Sequence, residues 1–276
     1  MPDKILAFIP CYNCAPQIGR VLRQFKGPVG DRINEILVLD NGSGDGTVDR
    51  AIEAAPEAEV GRLTVARNQA NYNLGGSHKA AFAYAAAHDF THVLILHGDD
   101  QGSIADIEPV LQQGLHRVND ACLGARFARG SRLLGYSAFR IFGNHVFNAL
   151  FTIGTGRRVL DLGSGLNIVG AAVFKDPSVL RYADDLRFNI FLLLGLFDAG
   201  RRVLFFPISW REDDQVSNVK MTSQALRTLA ILRDRTLSRS AFRRTDFRTV
   251  RHERYAFDVV FSTAGQEPVL AGQVSA

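Results

Sequence analysis

HVLILHGDDQG, residues 92–102, drives a run of aliphatic side chains straight into a histidine, two adjacent aspartates and a glutamine. A strand whose only task is packing ends in ordinary turn residues. If the chain stays extended past Leu96, a period of two places His97, Asp99 and Gln101 on one side, with Gly98 and Asp100 on the other. An imidazole and two oxygen-bearing side chains converging on one point suit a divalent cation. The same residues also suit a tight turn with Ser103 capping a following helix, because Asp and Gly favour turns. The surrounding chain has to decide between these readings.

Strand and helix patterns alternate around this stretch. KILAFI (4–9), EILVLD (35–40), RLTVAR (62–67), HVLILH (92–97) and ACLGARF (121–127) read as strands. Between them, helical spacing appears in QIGRVLRQF, from about Thr47 to Ala55, over roughly 78–88 and around 104–115. Near-continuous apolar strands separated by helices predict an α/β fold with a mostly parallel sheet covered on both faces. Ligands of such sheets bind outside the carboxyl ends of the strands. Tyr12 and Asn13, Asp40, Arg67 and Asn68, and Asp99 all fall at those ends. In the second half, SAFRIFGNHVFNALFTI (137–153) predicts an amphipathic helix with Phe139, Phe142, Val146, Phe147 and Leu150 on one side. LNIVGAAVF reads as a strand or a strand–helix passage, DDLRFNIFLLLGLFDAG as a helix opening on a carboxylate pair, RRVLFFPISW as a strand, and SNVKMTSQALRTLAILRDR as a last long helix. The final dozen residues, GQEPVLAGQVSA, read as a mobile tail.

Composition excludes several classes. The chain has 276 residues, 46% hydrophobic and 22% charged, a composition ordinary for a soluble globular protein. No stretch approaches the roughly 18 consecutive apolar residues of a membrane span. The opening MPDKILAFIPCYN turns polar too soon for a secretory signal, so the cytoplasm is the expected compartment. Three cysteines provide no disulfide framework. Cys11 and Cys14 form a C-x-x-C without a second metal-binding pair, and are expected to be small buried thiols. The net charge of +4 is uneven, since arginines crowd RTLAILRDRTLSRSAFRRTDFRTVRHER from Arg227 onward. Asp and Ser interrupt them, so the pattern hints at an anionic membrane surface and matches no nucleic-acid motif.

Six segments in order carry a resemblance: FIPCYN, VLDNGSGDGT, NYNLGGSHKAAFAYA, LHGDDQ, LGARF and DLGSGLNIV, spread over roughly residues 4–215. Together they resemble glycosyltransferase family 2, enzymes of the GT-A fold that use nucleotide-sugar donors. The likeness is to its polyprenyl-phosphate sugar transferases of the dolichol-phosphate mannose synthase type. The resemblance implies a single unit over residues 1–236. Residues 1–130 would form the nucleotide-sugar half, 131–236 the acceptor half, and 237–276 a basic extension and tail. It implies a divalent metal, Mn²⁺ or Mg²⁺, at His97, Asp99 and Gln101, where His97 replaces the family's leading aspartate. Imidazole in that place favours Mn²⁺.

The donor would lie along Pro10, Tyr12, Asn13, Asp40, Asn68, Gly75, Gly76, Lys79 and Asp99, with Asp40 accepting a base N–H. Gly75, Gly76 and the next helix start would offer N–H groups, and Lys79 a cation, to the phosphates. The turn 42–47 reads as structural, with Asp45 or Thr47 capping a helix. Arg126 and Arg211 are expected to grip an acceptor phosphate, and Asp184 or Asp185 to serve as general base for a hydroxyl acceptor. A phosphate acceptor is already ionised and needs none. The implied partners are a UDP- or GDP-sugar and a polyprenyl phosphate, with peripheral contact at the inner face of a membrane.

Two other readings compete. VLDLGSG (159–165) is close to the glycine-rich loop of S-adenosylmethionine methyltransferases, although most of the strand–helix alternation precedes it. A non-catalytic sugar-nucleotide-binding domain would account for His97 in place of an aspartate and for Phe191 where the family often has a carboxylate.

Overall fold

The computed structural model describes residues 2–212 and 221–264. Ten strands occur among them: β1 Ile5–Cys11, β2 Glu35–Asp40, β3 Leu63–Asn68, β4 His92–Leu96, β5 Ala121–Ala125, β6 Arg132–Leu134, β7 Leu166–Gly170, β8 Val203–Pro207, β9 Ser209–Arg211 and β10 Phe257–Ser262. Eight form one sheet in the order β10-β3-β2-β1-β4-β7-β5-β8, while β6 and β9 pair separately. Neighbours β3-β2, β2-β1, β1-β4 and β5-β8 are parallel; β7 and β10 run against their neighbours. The carboxyl ends of β1, β2, β3, β4, β5 and β8 therefore share one edge.

Helices cover both faces, the longer ones being α1 Ala15–Leu22, α2 Thr47–Ala54, α3 Asn73–Ala87, α4 Ala138–Thr155, α5 Phe188–Asp198 and α6 Met221–Leu237. Alternation along β1 and β2 builds the two cores. Leu6, Phe8, Leu37 and Leu39 face the layer of α3 and α5, and Ile5, Ala7, Ile9, Ile36 and Val38 face that of α1 and α2. Each of the larger of these side chains, Ala7 excepted, stabilises the fold by about 1.5–3 kcal/mol. Cys11, Cys14 and Cys122 are free and buried, as small apolar residues would be.

Several boundaries differ from the sequence reading. β10 pairs antiparallel with β3, so the folded unit continues past the expected limit at 236. The strand alternates half-buried and exposed residues, and its edge position offers only weak periodicity to read. The helix expected over 78–88 starts at Asn73, because Gly75 and Gly76 lie inside α3 and do not precede it. The helix expected around 104–115 is broken into a 3₁₀ turn, Ile104–Ile107, and two short helices, Glu108–Gln112 and Leu115–Val118, with Gly114 at φ 66° between them. Neither Asp45 nor Thr47 caps α2, whose N-cap is Gly46 at φ 87° with no side-chain bond. Instead Asp45 accepts from Ala15 N at 3.0 Å and from Thr47, while Thr47 Oγ1 accepts from Cys14 N at 2.9 Å. The turn thus staples the loop after β1 to the loop after β2. The expected tail at 265–276 and the start of the last helix at 217–220 lie outside the described residues.

Candidate active site

At the carboxyl edge the adjacent aspartates of the opening stretch part company. Asp100 is buried and takes a left-handed φ of 58°. Its carboxylate is met by Arg20 Nε at 2.6 Å, by Gln24 Nε2 at 2.8 Å and by Arg211, and Arg211 Nε also donates to its backbone carbonyl at 2.8 Å. It fixes α1 and β9 to the end of β4. Asp99 is left with a single described hydrogen bond, from Gln101 N at 3.2 Å. Burial pushes its carboxyl up from 3.8 to about 6, against the pull of that N–H. A half-buried carboxylate so short of donors is the kind of group a divalent cation satisfies, and Asp99 fits one. Gln101 holds Arg211 N through its backbone oxygen, and lines a cavity of about 640 Å³ with Arg20, Gln24, Arg132, Trp210 and Arg211.

His97 sits deeper. Its N–H donates to Gly165 O at 3.0 Å, and a side chain at Gly165 would strike the imidazole. Its Nε2 is buried without a partner among the described residues. Burial, reinforced by the positive charge of Arg126, lowers its pKa to about 4, so the ring is neutral and holds a lone pair.

Other expected donor residues have different surroundings from those anticipated. Tyr12 is 56% exposed past β1, where Asn13 takes φ 54° and accepts from Gly44 N at 3.2 Å through its side chain. Pro10 lies within β1, and its carbonyl accepts from Gly98 N at 3.1 Å. Asp40 is not open to a base. It is fully buried, accepting from Gly42 N, from Ser43 N and from Arg67 Nε at 3.0 Å, and so closes the turn after β2. Beside it lies an amide cluster of which the sequence reading named only Asn68. Asn41 Oδ1 accepts from Asn68 Nδ2 and Tyr72 N, both at 2.9 Å, and Asn41 Nδ2 donates to Asn71 Oδ1 at 2.8 Å. Asn68 Oδ1 is buried and unpartnered among the described residues. The position of Asn41 directly after Asp40 was the one available signal.

Gly75, Gly76 and Lys79 do not form the expected phosphate cradle. Gly75 N and Gly76 N donate to Asp184 O at 2.5 and 3.3 Å, and a Cβ at Gly75 would come within 2.5 Å of Ala183 O. These glycines permit close approach of the 183–184 backbone to α3. Lys79 is buried, with Nζ donating to Asp184 Oδ1 and Tyr182 O at 2.6 Å each. Burial lowers its pKa, while the carboxylate pulls it back up. Tyr255 OH completes the cluster at 2.8 Å from Asp184 Oδ1, a contact across 71 residues that no local pattern announces. Asp184 is therefore a buried ion-pair partner, placed before α5 and not on its first turn. Asp185 is more exposed but held by Arg187. Burial would raise its pKa, yet the Arg187 side-chain and backbone hydrogen bonds bring it below the ordinary value.

Of the two expected acceptor arginines, Arg126 is gripped by Asp161 at 2.7 and 2.8 Å, donates to Gly163 O at 2.8 Å and Tyr136 OH at 3.0 Å, and lies over the Trp210 ring. Asp161 begins the DLGSG turn, which runs into β7 and not into a helix, so it lacks the context of a methyltransferase loop. Arg211 faces the cavity but is anchored on Asp100. The structure thus brings Gln101 and Arg211 to one cavity, with Asp99 beside it through the Gln101 N–H, and Asp184 to a separate buried cluster.

The architecture matches solved structures of glucosyl-3-phosphoglycerate synthase from Mycobacterium tuberculosis. One is a complex with UDP, at 17% identity and a TM-score of 0.59, covering 85% of this chain and 80% of that one. Another holds Mn²⁺, UDP and glucosyl-3-phosphoglycerate, at 17% identity and a TM-score of 0.60, with the same coverage. A third holds Mn²⁺, UDP-glucose and glycerol 3-phosphate, at 18% identity and a TM-score of 0.58, again covering 85% and 80%. The likeness shows the GT-A fold. The model of Glycosyl transferase family 2 matches residues 7–180, more than half of the sequence, and the chain belongs to that family.

Proposed function

We propose that this protein is a hexosyltransferase that moves a sugar from a nucleoside-diphosphate sugar onto a polyprenyl phosphate at a membrane surface, with inversion. The observation that carries this reading is the under-partnered Asp99 at the carboxyl end of β4. The divalent cation, Mn²⁺ or Mg²⁺, would be held by Asp99 and Gln101, with His97 Nε2 as a neutral reserve ligand. When bound it supplies positive charge to the departing diphosphate. The presence of UDP, UDP-glucose and Mn²⁺ in the solved relatives favours a uridine donor and manganese. Tyr12 offers an exposed ring for the base, and Asn13 fixes the loop that carries it. Asp40 supports this edge through the turn it closes.

The carboxylates favour a phosphate nucleophile over a hydroxyl. A general base has to be accessible and poised near the working pH. Asp184 is locked beneath Lys79, and Asp185 is paired with Arg187 and lowered. An ionised acceptor attacks the anomeric carbon in line without either. Arg211, and Arg132 across the cavity, supply positive charge near Gln101 for the acceptor phosphate.

A test supplies radiolabelled UDP-sugars or GDP-sugars with Mn²⁺, and offers polyprenyl phosphate beside soluble hydroxyl acceptors. The expected product is an inverted polyprenyl-phosphate sugar. Label transferred only to a hydroxyl acceptor, and lost in Asp185→Asn, would assign Asp185 as base and overturn the phosphate reading. Nucleotide-sugar binding without turnover on any acceptor would favour a non-catalytic binding domain, which is the reading suggested by His97 in place of an acid.

A further inference from the structure

Helix α4 turns Asn148 and Phe151 into the protein and leaves Phe139, Phe142, Val146, Leu150 and Ile153 in solvent, with Phe139 75% and Ile153 80% exposed. Their spacings of three and four residues put all five on one helical face. Phe147, expected on the same side, instead packs on the core. Helix α6 does the same beside it: Ile231 is buried, and Leu226, Leu229 and Leu237 are exposed. The two helices touch where Leu232 packs on Gly154 and Arg235 donates to the Gly154 carbonyl at 3.2 Å. Phe151 and Ile231 belong to one core cluster. Both helices thus rest on the same core, side by side, and their apolar outer stripes look away from it together. Eight large apolar side chains exposed on two adjoining helices exceed the scattered exposures of an ordinary protein face.

The charge around these stripes selects what covers them. Residues 137–158 contain Arg140, Arg157 and Arg158 and no acid, and residues 221–244 contain six arginines against Asp234 alone. Arg158, Arg227, Arg233, Arg239, Arg243 and Arg244 are exposed. A two-fold contact between copies of this chain would set these arginines against each other. Nucleic acid would leave the apolar stripes facing phosphates. An anionic bilayer accepts both features, taking phenylalanine and leucine at the acyl boundary and arginine at the headgroups.

We propose that the paired outer faces of α4 and α6 dock on an anionic lipid bilayer. The inference rests on the membrane acceptor proposed above and names the surface that meets it. Ser137 caps the start of α4 by accepting from Arg140 N, and Arg140 pairs with Glu212 directly after Arg211. Tyr136, just ahead of that cap, is bonded to Arg126 at the carboxyl edge. The docking face therefore begins beside the cavity that holds Gln101 and Arg211, and a lipid phosphate would have a short path between them.

The test is co-sedimentation of the full chain with phosphatidylglycerol/phosphatidylcholine vesicles and with phosphatidylcholine vesicles alone. Binding to the anionic vesicles is expected, weakening on pure phosphatidylcholine and in high salt. The variant Phe142→Asp/Ile153→Asp should lower partitioning at least about tenfold, and Arg158→Glu/Arg233→Glu should reduce it by a smaller, salt-dependent amount. These side chains are exposed, so unchanged circular dichroism and Tm are expected. Both variants should keep wild-type turnover on detergent-dispersed polyprenyl phosphate. Asp99→Ala should bind vesicles like wild type while inactive, which separates failure of docking from failure of the transferase reading. No vesicle binding, with a concentration-dependent dimer in sedimentation velocity that Phe142→Asp disperses, would assign the face to a second copy and overturn the proposal. Equal vesicle binding by Phe142→Asp/Ile153→Asp and wild type would overturn it as well.

Discussion

Asp184 is buried and Asp99 half-buried next to the carboxyl edge of the sheet, and the partners of the two carboxylates are opposite in kind. Asp184 has a lysine and a tyrosine hydroxyl on its oxygens, at 2.6 and 2.8 Å. Asp99 has one backbone N–H at 3.2 Å. The first region is electrostatically complete, and adding a ligand there would mean dismantling it. The second carries a desolvated carboxylate that the protein leaves short of compensation, which is how a fold stores affinity for a cation. Burial alone does not mark a site; a buried charge that the fold leaves unpaired does.

The comparison breaks most sharply at Asp99. Asp99→Ala should lower kcat by about 10³-fold, the scale of losing a principal electrostatic stabiliser of the leaving group. Its fold should be intact, because no described side chain depends on that carboxylate. Metal-dependent nucleotide binding, measured by calorimetry, should disappear. If the variant retains metal-enhanced affinity, the cation is held elsewhere.

At the complete region the same kind of deletion should act on stability instead. Lys79→Met leaves Asp184 buried with only Tyr255 for compensation, and breaking such a pair costs about 3 kcal/mol or more. Denaturant midpoints should fall accordingly, while kcat per folded molecule stays within a few-fold of wild type. A Lys79→Met protein of normal stability whose KM for the donor rises steeply would return Lys79 to the phosphate site.

These regions also show why part of the molecule was legible and part was not. β1, β2 and β4 could be read because their side chains alternate between two cores and their ends carry unusual polar residues. The two adjacent aspartates could be told apart because the period of two separates Asp99 from Asp100, and the structure keeps that separation. The Lys79–Asp184 pair was not legible because the partner lies 105 residues away, and a first-turn lysine beside two glycines looks like a phosphate cradle. The surroundings of Asp40 escaped the sequence for a local reason: its oxygens accept from Gly42, Ser43 and Arg67, and only the folded turn brings those donors together. The stripe on α4 was visible as periodicity. Periodicity alone does not say which side faces the core, and it grouped Phe147 with residues that face water.

pH should sharpen the contrast further. The Asp99 carboxyl rises from 3.8 in the unfolded chain to about 6 in the folded one, so the folded protein binds this proton more tightly. Without metal, the cost of ionising it is absent only well below 3.8, grows as pH rises from there to about 6, and is complete above that. Asp99→Asn should therefore have a higher Tm than wild type at pH 7.5, with the difference shrinking as pH falls below about 6 and vanishing below 3.8. A cation requires the ionised carboxylate, so its affinity should fall about tenfold per pH unit below 6. Calorimetry in buffers of different ionisation heat would count the proton released. Metal affinity that stays flat from pH 7 to pH 5 would contradict Asp99 as the ligand.

The smallest effect is expected at Asp185, where its size separates the two acceptor chemistries. If the nucleophile is an ionised phosphate, Asp185 has no proton to take, and Asp185→Asn removes only one half of a partly exposed ion pair with Arg187. Exposed pairs contribute about 0–1 kcal/mol. Transfer to polyprenyl phosphate should then stay within about twofold of wild type, with an unaltered pH profile, because a general base contributes about 10²–10⁴-fold where one is used. A structural role would also leave the profile in place, but it would lower the Tm. A fall of 10²-fold, accompanied by loss of the acidic limb of the rate profile, would mean that a proton leaves the acceptor during attack. The acceptor would then be a hydroxyl, and the pairing of Asp185 with Arg187 would have to open in the presence of substrate.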